Sequence, residues 1–315
     1  MPIPQAWENR LRVPAIAAPM FLVSGPDLVV ESSKAGIIGT FPALNQRTSE
    51  GYAAWLDEIE ERLQGSPAAP FGVNLIVHKT NKRVEPDLRI TVEHRVPLVI
   101  TSLGAVREVV DAIHSYGGIV FHDVIHLHHA RKAADAGVDG LIAVCAGAGG
   151  HAGTLNPFAF LGEIRQWFSK TVILSGCITN GRHIAAAELL GADLAYLGTR
   201  FIATRESLAP DAYKQMILSS AARDIVYTPA ISGVHANFLK ASIVAAGADP
   251  DHLPEAGHMD FGTDREAKAW KDVWSAGQGV GDIADVPSAA DLCQRLRREY
   301  EEARQGLGKA HAATE

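Results

Sequence analysis

Short apolar runs alternate with stretches of helical periodicity over the first two thirds of the chain. Eight of these runs predict strands, at Ala15–Met20, Gly36–Phe41, Phe71–Val77, Pro97–Leu103, Gly118–Val124, Gly140–Ala146, Thr171–Cys177 and Leu194–Phe201. The runs are mostly continuous in apolar character, which is typical of strands covered on both faces. Each connection is long enough to hold a helix, so neighbouring strands are expected to run parallel.

The connections between these strands carry the pattern of amphipathic helices. Helices are predicted at Asp27–Ala35, Ser49–Leu63, Pro86–Arg95, Ala105–Ser115, Leu127–Ala136, Pro157–Phe168 and Gly181–Leu190. Eight successive β/α units predict a closed (β/α)₈ TIM barrel in the α/β class. An open, doubly wound sheet is the alternative, because the same alternation of strands and helices also builds that fold.

The alternation stops after Phe201. Helical patterns follow at Ala209–Ser220, Asn237–Ala246, Arg265–Val273 and Ala289–Gln305. We interpret residues 205–278 as a mostly helical substrate or lid domain inserted over one end of the barrel. Residues 1–204 and 279–315 then form the barrel itself, and the last helix returns to its wall.

Composition narrows the class of protein. The chain has 315 residues, 47% hydrophobic and 21% charged, which excludes a disordered or coiled-coil protein. Its net charge of −7 offers no basic patch for nucleic acid or an anionic membrane. No apolar run approaches the roughly 18 residues of a membrane-spanning helix. Three widely spaced cysteines, Cys145, Cys177 and Cys293, indicate reduced thiols and predict a cytoplasmic protein. The sequence does not decide the oligomeric state, and a homodimer is one of the states it allows.

In a TIM barrel the active face is formed by the carboxyl ends of the strands and the loops that follow them. Small, polar or glycine-rich residues occupy these positions here: Pro19, Met20, Asn74, Thr101, Ser102, His122, Asp123, residues 145–153, Ser175, Gly176, Cys177, Gly198 and Thr199. Such residues are unusual directly beside apolar strands. The pattern therefore predicts a small-molecule site at this end.

The ends of the seventh and eighth predicted strands favour phosphate binding. Ser175, Gly176 and Cys177 end one strand, and Gly198 and Thr199 lie in the other. TIM barrels commonly bind phosphate at these two strand ends through backbone N–H groups. Glycine allows such close approach because it has no side chain. The alternative is that these glycines only form tight turns.

A glycine-rich loop, Gly147–Gly153, follows the sixth predicted strand. Its spacing partly matches a dinucleotide-binding fingerprint, but no helix opens directly behind it and no acidic residue ends the next strand. We interpret the loop as flexible backbone that lies along a flat ligand and presents His151. The ordinary pKa of histidine, near 6.5, suits proton transfer at neutral pH.

Four further histidines, His122, His126, His128 and His129, cluster in sequence. His126, His128 and His129 open a predicted helix, where successive residues point to different faces. Nothing nearby completes the ligand spacing of a zinc site. We therefore predict no metal, and expect capping or solvated roles for these three. His122 ends a strand and is a candidate ligand-binding residue.

Six motifs resemble those of the nitronate monooxygenase family. They are AAPM at the first strand, GVN at the third, AGGHAG after the sixth, SGCI at the seventh, LGTRFIATRES at the eighth, and AGQGVG late in the chain. The family was formerly called 2-nitropropane dioxygenase and includes FMN-dependent enoyl reductases of fatty-acid synthesis. The similarity covers nearly the whole chain.

The resemblance implies an FMN site. It places Ala18, Pro19 and Met20 along the isoalloxazine, Asn74 in hydrogen bonding to it, Ala148, Gly149 and Gly150 beside the flavin and ribityl chain, Gly176, Cys177, Gly198 and Thr199 on the phosphate, and Gln278 and Gly279 over the ring. Ser102, His122 and Ser175, at neighbouring strand ends, complete the predicted cofactor-binding set.

The resemblance also implies a reaction. An alkyl nitronate would be oxidised by FMN and O₂ to a carbonyl compound and nitrite, with His151 as the catalytic acid or base. Two positions depart from the family pattern: Gly147 stands where many relatives have Glu, and the AAPM motif lacks a Gln that many carry before the proline.

Two other functions are weighed against this one. An FMN-dependent enoyl or quinone reductase would need a site for NADH or NADPH in the inserted segment. A flavin- or phosphate-binding barrel without turnover would have no need of a titratable group such as His151 over the ring.

Overall fold

The computed structural model describes residues 3–104, 106–255 and 272–312. Its centre is a closed barrel of parallel strands, in the order β1 (Ala15–Ala17), β2 (Ile38–Pro42), β3 (Phe71–Ile76), β4 (Leu98–Ser102), β5 (Ile119–Val124), β6 (Gly140–Val144), β8 (Thr171–Ser175) and β9 (Leu194–Leu197). The barrel closes where β9 pairs with β1, with Ala195 opposite Ala15. The predicted TIM barrel is confirmed, and the open doubly wound sheet is excluded.

Helices lie before, between and after the barrel strands. They are α1 (Gln5–Glu8), α2 (Pro26–Lys34), α3 (Ser49–Leu63), α4 (Val84–Glu93), α5 (Arg107–His114), α6 (Leu127–Asp135), α7 (Pro157–Arg165), α8 (Gly181–Leu189), α9 (Thr199–Ile202), α10 (Asp211–Leu218), α11 (Lys240–Ala245) and α12 (Ala289–Ala312). Short 3₁₀ turns lie at Ala43–Asn45, Ala222–Asp224 and Gln278–Asp282. Helix α12 packs against α8 and α2, so the last helix returns to the barrel wall as expected. Among the described residues, no helix is both long and apolar enough to cross a membrane.

Side chains fill the barrel interior. Ile100, Phe121, Ile142 and Ile173 are fully buried there, as expected for a packed barrel core. Trp7 lies before β1 and packs edge-on against Phe121, with ring centroids 6.0 Å apart. Because large apolar side chains occupy the interior, ligands have access only from the carboxyl ends of the strands.

The segment that follows the barrel strands contains a second, small sheet. Strands β10 (Ile225–Thr228) and β11 (Ala236–Leu239) pair antiparallel, and β11 also pairs with β7 (Gly150–His151). The third strand of this sheet thus comes from the glycine-rich loop of the barrel. The sheet was not predicted: β7 and β11 are far apart in sequence, and the neighbouring strands β10 and β11 were not recognised as a hairpin.

Two sequence predictions differ from the structure here, and a third falls outside the described residues. The helix predicted over Asn237–Ala246 begins only at Lys240, because β11 takes the preceding residues. The strand predicted over Leu194–Phe201 ends at Leu197 and α9 follows. The helix predicted over Arg265–Val273 falls, for residues 265–271, outside the described ranges. The domain boundaries at residues 205 and 278 stay a prediction.

Candidate functional site

A cavity of about 1880 Å³ opens at the carboxyl ends of the barrel strands. Its wall includes the predicted residues Ala18, Pro19, Met20, Asn74, Ser102, His122, Ala148, Gly149, Gly150, His151, Ser175, Gly176, Cys177, Gly198, Thr199 and Gly279. Gln278 is the exception. Its backbone N–H donates to the carbonyl of Gly147 at 2.8 Å, which holds the 3₁₀ turn against the loop after β6.

Glycines and small side chains form much of the wall at the ends of β8 and β9. Gly176 has a φ of 135°, a conformation that other residues rarely adopt. A Cβ on Gly198 would lie 3.8 Å from the Cβ of Ala18 and 3.9 Å from the Sδ of Met20, so the protein alone leaves room there. The Thr199 hydroxyl accepts a bond from the Gly277 N–H at 2.8 Å, which leaves its own hydrogen to donate. These are the properties of an anion cradle.

The surroundings of Gly147 explain why a glycine stands where many relatives have a glutamate. Its φ is 82°, and an added Cβ would lie 2.5 Å from the Sγ of Cys177. Cys177 itself has a φ of 56°, and its thiol donates to the Gly147 carbonyl at 3.6 Å. Burial raises the pKa of this thiol, so it stays protonated at neutral pH. A glutamate at position 147 would not fit this arrangement.

The glycine-rich loop, which the sequence predicts to be flexible, is held by hydrogen bonds at several points. His151 pairs with Ala236, and the Asn237 side chain donates to the Ala148 carbonyl at 2.7 Å. The Ser275 hydroxyl accepts from the Gly150 N–H at 2.7 Å and donates to the Asn237 carbonyl at 2.6 Å. The loop therefore has a fixed register against β11.

His151 is half-buried in the cavity wall, and its Nε2 atom is buried. Removal from water disfavours the charged imidazolium and lowers the pKa of His151 to about 4. The side chain is consequently neutral at pH 7, where one ring nitrogen carries a hydrogen and the other has a lone pair.

Polar side chains line the opposite wall, at the ends of β3, β4 and β5. The Asn74 amide donates to Ser102 Oγ at 2.7 Å and to the Ile100 carbonyl at 3.2 Å. Ser102 in turn donates to Asp123 Oδ2 at 2.5 Å. Burial raises the pKa of Asp123 to about 6. These side chains form one chain of hydrogen bonds beside the cavity.

His122 has a different environment from its neighbour Asp123. Its Nδ1 atom lies 2.7 Å from Thr101 Oγ1, and burial, with His129 nearby, lowers the pKa of His122 to about 4. His126 caps α6 by accepting from the His129 N–H at 3.3 Å, which agrees with the capping role predicted for this cluster. Within the described ranges, no group of His, Cys, Asp or Glu side chains is arranged to hold a metal ion.

Several cavity residues were not among the predicted site residues. Tyr227 and His235 stack with centroids 5.0 Å apart, and Tyr213 stacks on Trp274 at 4.9 Å. All four come from the segment after the barrel strands, whose folding no local pattern reveals. Asp123, which its position at the end of a strand placed on the predicted active face but which was not in the predicted cofactor-binding set, also lines the cavity.

A family model described as nitronate monooxygenase matches residues 80–299, more than half of the chain. A nitronate monooxygenase from Paraburkholderia phytofirmans is 36% identical over 197 residues, covering 56% of this chain and 53% of the relative. The match thus spans about half the length of that relative. A nitronate monooxygenase from Neurospora crassa is 27% identical, and the match covers 94% of this chain and 92% of the Neurospora protein.

One solved structure agrees in fold over almost the whole chain. Nitroalkane oxidase from Streptomyces ansochromogenes superposes with a TM-score of 0.84 and 25% identity, covering 96% of this chain and 100% of the other. The barrel and the segment that follows it therefore recur together in a protein whose name describes nitro chemistry.

Proposed function

The chain belongs to the nitronate monooxygenase family, and on that premise we propose that it binds FMN in the cavity and oxidises alkyl nitronates. The products would be a carbonyl compound and nitrite, with O₂ as the second substrate. One observation carries the proposal: a glycine-lined anion cradle and a neutral, fixed histidine lie in the wall of the same cavity.

The residues present fit a flavin mononucleotide. Gly176, Gly198 and the Thr199 hydroxyl would hold the phosphate, since backbone there is bare and the hydroxyl has a free hydrogen. Ala18 and Met20 offer an apolar wall to the flat ring system. The cavity is larger than the 300–1,000 Å³ or so typical of small-molecule sites, so cofactor and substrate have room together.

The bound flavin supplies the redox chemistry, which no side chain of the protein can supply. The protein contributes position and proton handling. His151, neutral at pH 7, would hydrogen-bond the nitro group of the nitronate, and would take up the α-proton only where the neutral nitroalkane binds instead. The β7–β11 pairing fixes where the imidazole lies, which is the orientation such a step requires.

The visible flavin absorbance of the purified protein tests this function. Without oxygen, propyl-2-nitronate should bleach the flavin, whereas NADH and NADPH in parallel samples should not. Bleaching by a nicotinamide alone would assign the protein to the enoyl or quinone reductases instead. A purified protein with no flavin spectrum, and none after incubation with FMN, would overturn the cofactor assignment.

A further inference from the structure

Asp123 lies in the cavity wall at the end of β5, two hydrogen bonds away from Asn74. We propose that Asp123 is a positioning residue: acting through Ser102, it orients the Asn74 carboxamide so that Oδ1 is the group offered to a ligand. The identity of that ligand, a flavin, rests on the proposed function. The orientation itself rests only on the protein.

The argument is a count of hydrogens. An ionised carboxylate can only accept, so the single hydrogen of the Ser102 hydroxyl goes to Asp123 Oδ2. Ser102 Oγ is then left as an acceptor for Asn74 Nδ2. The second Nδ2 hydrogen goes to the Ile100 carbonyl. Both amide hydrogens are engaged, and the carbonyl oxygen of Asn74 remains available.

A neutral residue at position 123 would not define this direction. An asparagine amide can donate or accept, so the Ser102 hydrogen would no longer be committed to residue 123, and the Ile100 carbonyl alone would then hold the Asn74 carboxamide in this orientation. With a pKa of about 6, Asp123 is mostly ionised at pH 7 and accepts only. Its second oxygen, Oδ1, is buried and has no hydrogen-bond partner among the described residues. A carboxylate kept in so unfavourable a place is consistent with a role beyond packing.

The orientation selects the chemistry of the ligand. A fixed acceptor in the wall favours a ring edge that carries an N–H and disfavours one that carries a carbonyl. The pyrimidine part of a flavin has such an N–H between two carbonyls. A fixed Asn74 therefore adds affinity for the flavin and sets which edge of its ring meets the wall.

The first test needs no flavin. The side-chain amide resonances of Asn74, identified by their loss in Asn74→Asp, are recorded on the ligand-stripped protein at pH 7. We expect both protons to be protected from exchange, and protection to fall about tenfold in Asp123→Asn and in Ser102→Ala. Asp111→Asn, an equal charge change at an exposed site on α5, should leave them unchanged. Unaltered Asn74 resonances in Asp123→Asn would overturn the proposal.

The second test measures the dissociation constant of FMN. Asp123→Asn and Ser102→Ala should each weaken binding about tenfold. The double variant should lose no more than either single variant, because both changes break the same hydrogen-bond chain. Additive losses would show that Asp123 acts independently of Ser102 and would reject the proposal. A wild-type protein that binds no FMN would reject the proposed function, while the resonance experiment still decides the orientation.

Discussion

The cavity has two walls built on opposite principles. At the ends of β8 and β9 lies the glycine wall, made of Gly176, Gly198 and Thr199, where backbone is exposed because side chains are missing or small. At the ends of β3, β4 and β5 lies the side-chain wall, made of Asn74, Ser102 and Asp123. Substitutions that add a side chain should therefore disrupt the glycine wall, whereas substitutions that remove or neutralise a polar group should disrupt the side-chain wall.

The largest expected effect is on turnover, and it comes from a change at His151 on β7. Replacing His151 with Asn keeps a polar side chain but removes the titratable ring, so turnover should fall about 10²- to 10⁴-fold. FMN content should not change, because the phosphate is assigned to the glycine wall. The check is kcat measured together with flavin absorbance.

His252→Asn is the control for this change, because His252 lies on the surface with its side chain 84% exposed. It should keep full activity. If His151→Asn retained wild-type turnover, the proton-handling role of His151 would be wrong.

The second effect is steric. Gly198→Val adds a side chain to a position where the protein leaves room, so the fold should persist while the phosphate loses its place. We expect FMN binding to weaken about 100-fold, the loss of two charge-assisted hydrogen bonds at their lower limit. Equilibrium dialysis with FMN measures this.

Gly162→Val serves as the matched control for Gly198→Val. Gly162 lies on the exposed face of α7, and a Cβ there meets nothing within 4 Å. Unchanged FMN affinity in Gly198→Val would move the phosphate away from the glycine wall.

The third effect is a loss of folding stability in acid, caused by the buried His122 on β5. Its folded-state pKa of about 4 lies below the ordinary 6.5, so the unfolded chain binds more protons between these values. Stability therefore falls as pH falls through this window. His122 alone should account for about 2 kcal/mol of unfolding free energy lost between pH 7 and pH 5.

Urea unfolding of the wild type and of His122→Gln at these two pH values measures the contribution. The variant should lose less stability on acidification. An identical loss in both proteins would mean that His122 is charged in the folded state. Asp123 acts in the opposite direction, because its raised pKa makes the folded state bind a proton more readily near pH 6.

The smallest effect is the loss of one hydroxyl on the glycine wall. Thr199→Val preserves shape but removes the donor assigned to the phosphate, so FMN affinity should drop about tenfold. Thr204→Val is the comparison. The buried Thr204 hydroxyl donates to the Phe201 carbonyl at 2.8 Å, so its loss should lower stability and leave FMN affinity intact. Equal effects of the two changes on affinity would count against the assigned role of Thr199.

The two walls also differ in how far the sequence predicts them. The glycine wall is local: Gly176 and Gly198 follow apolar runs at the strands where barrels bind phosphate, and the sequence was sufficient to bring them together in one cavity. The side-chain wall depends on register across three strands. The sequence pointed to Asn74 and Ser102, but the hydrogen bonds that join them to Asp123 appear only when the strands are aligned.

The segment after the barrel strands was the hardest part to predict. The residues Asn237–Leu239 fit a helical pattern with those that follow, and the strand Ala236–Leu239 is stabilised by partners at 150–151 and 225–228 and by a bridge from Phe238 to Ser275. Local propensity is a weak guide where pairing partners are distant in sequence. For the same reason Gly150 and His151 looked like free loop, although the structure holds them in a sheet.

The short strand β7 makes the length of its loop a constraint on evolution. Side chains along a strand alternate between faces, so a shift of one residue against β11 would turn the His151 ring to the opposite face. A single-residue insertion or deletion between Gly147 and Gly150 would thus remove the histidine from the cavity without changing any residue that lines it. Loop length, as much as residue identity, determines whether the imidazole lies in the cavity.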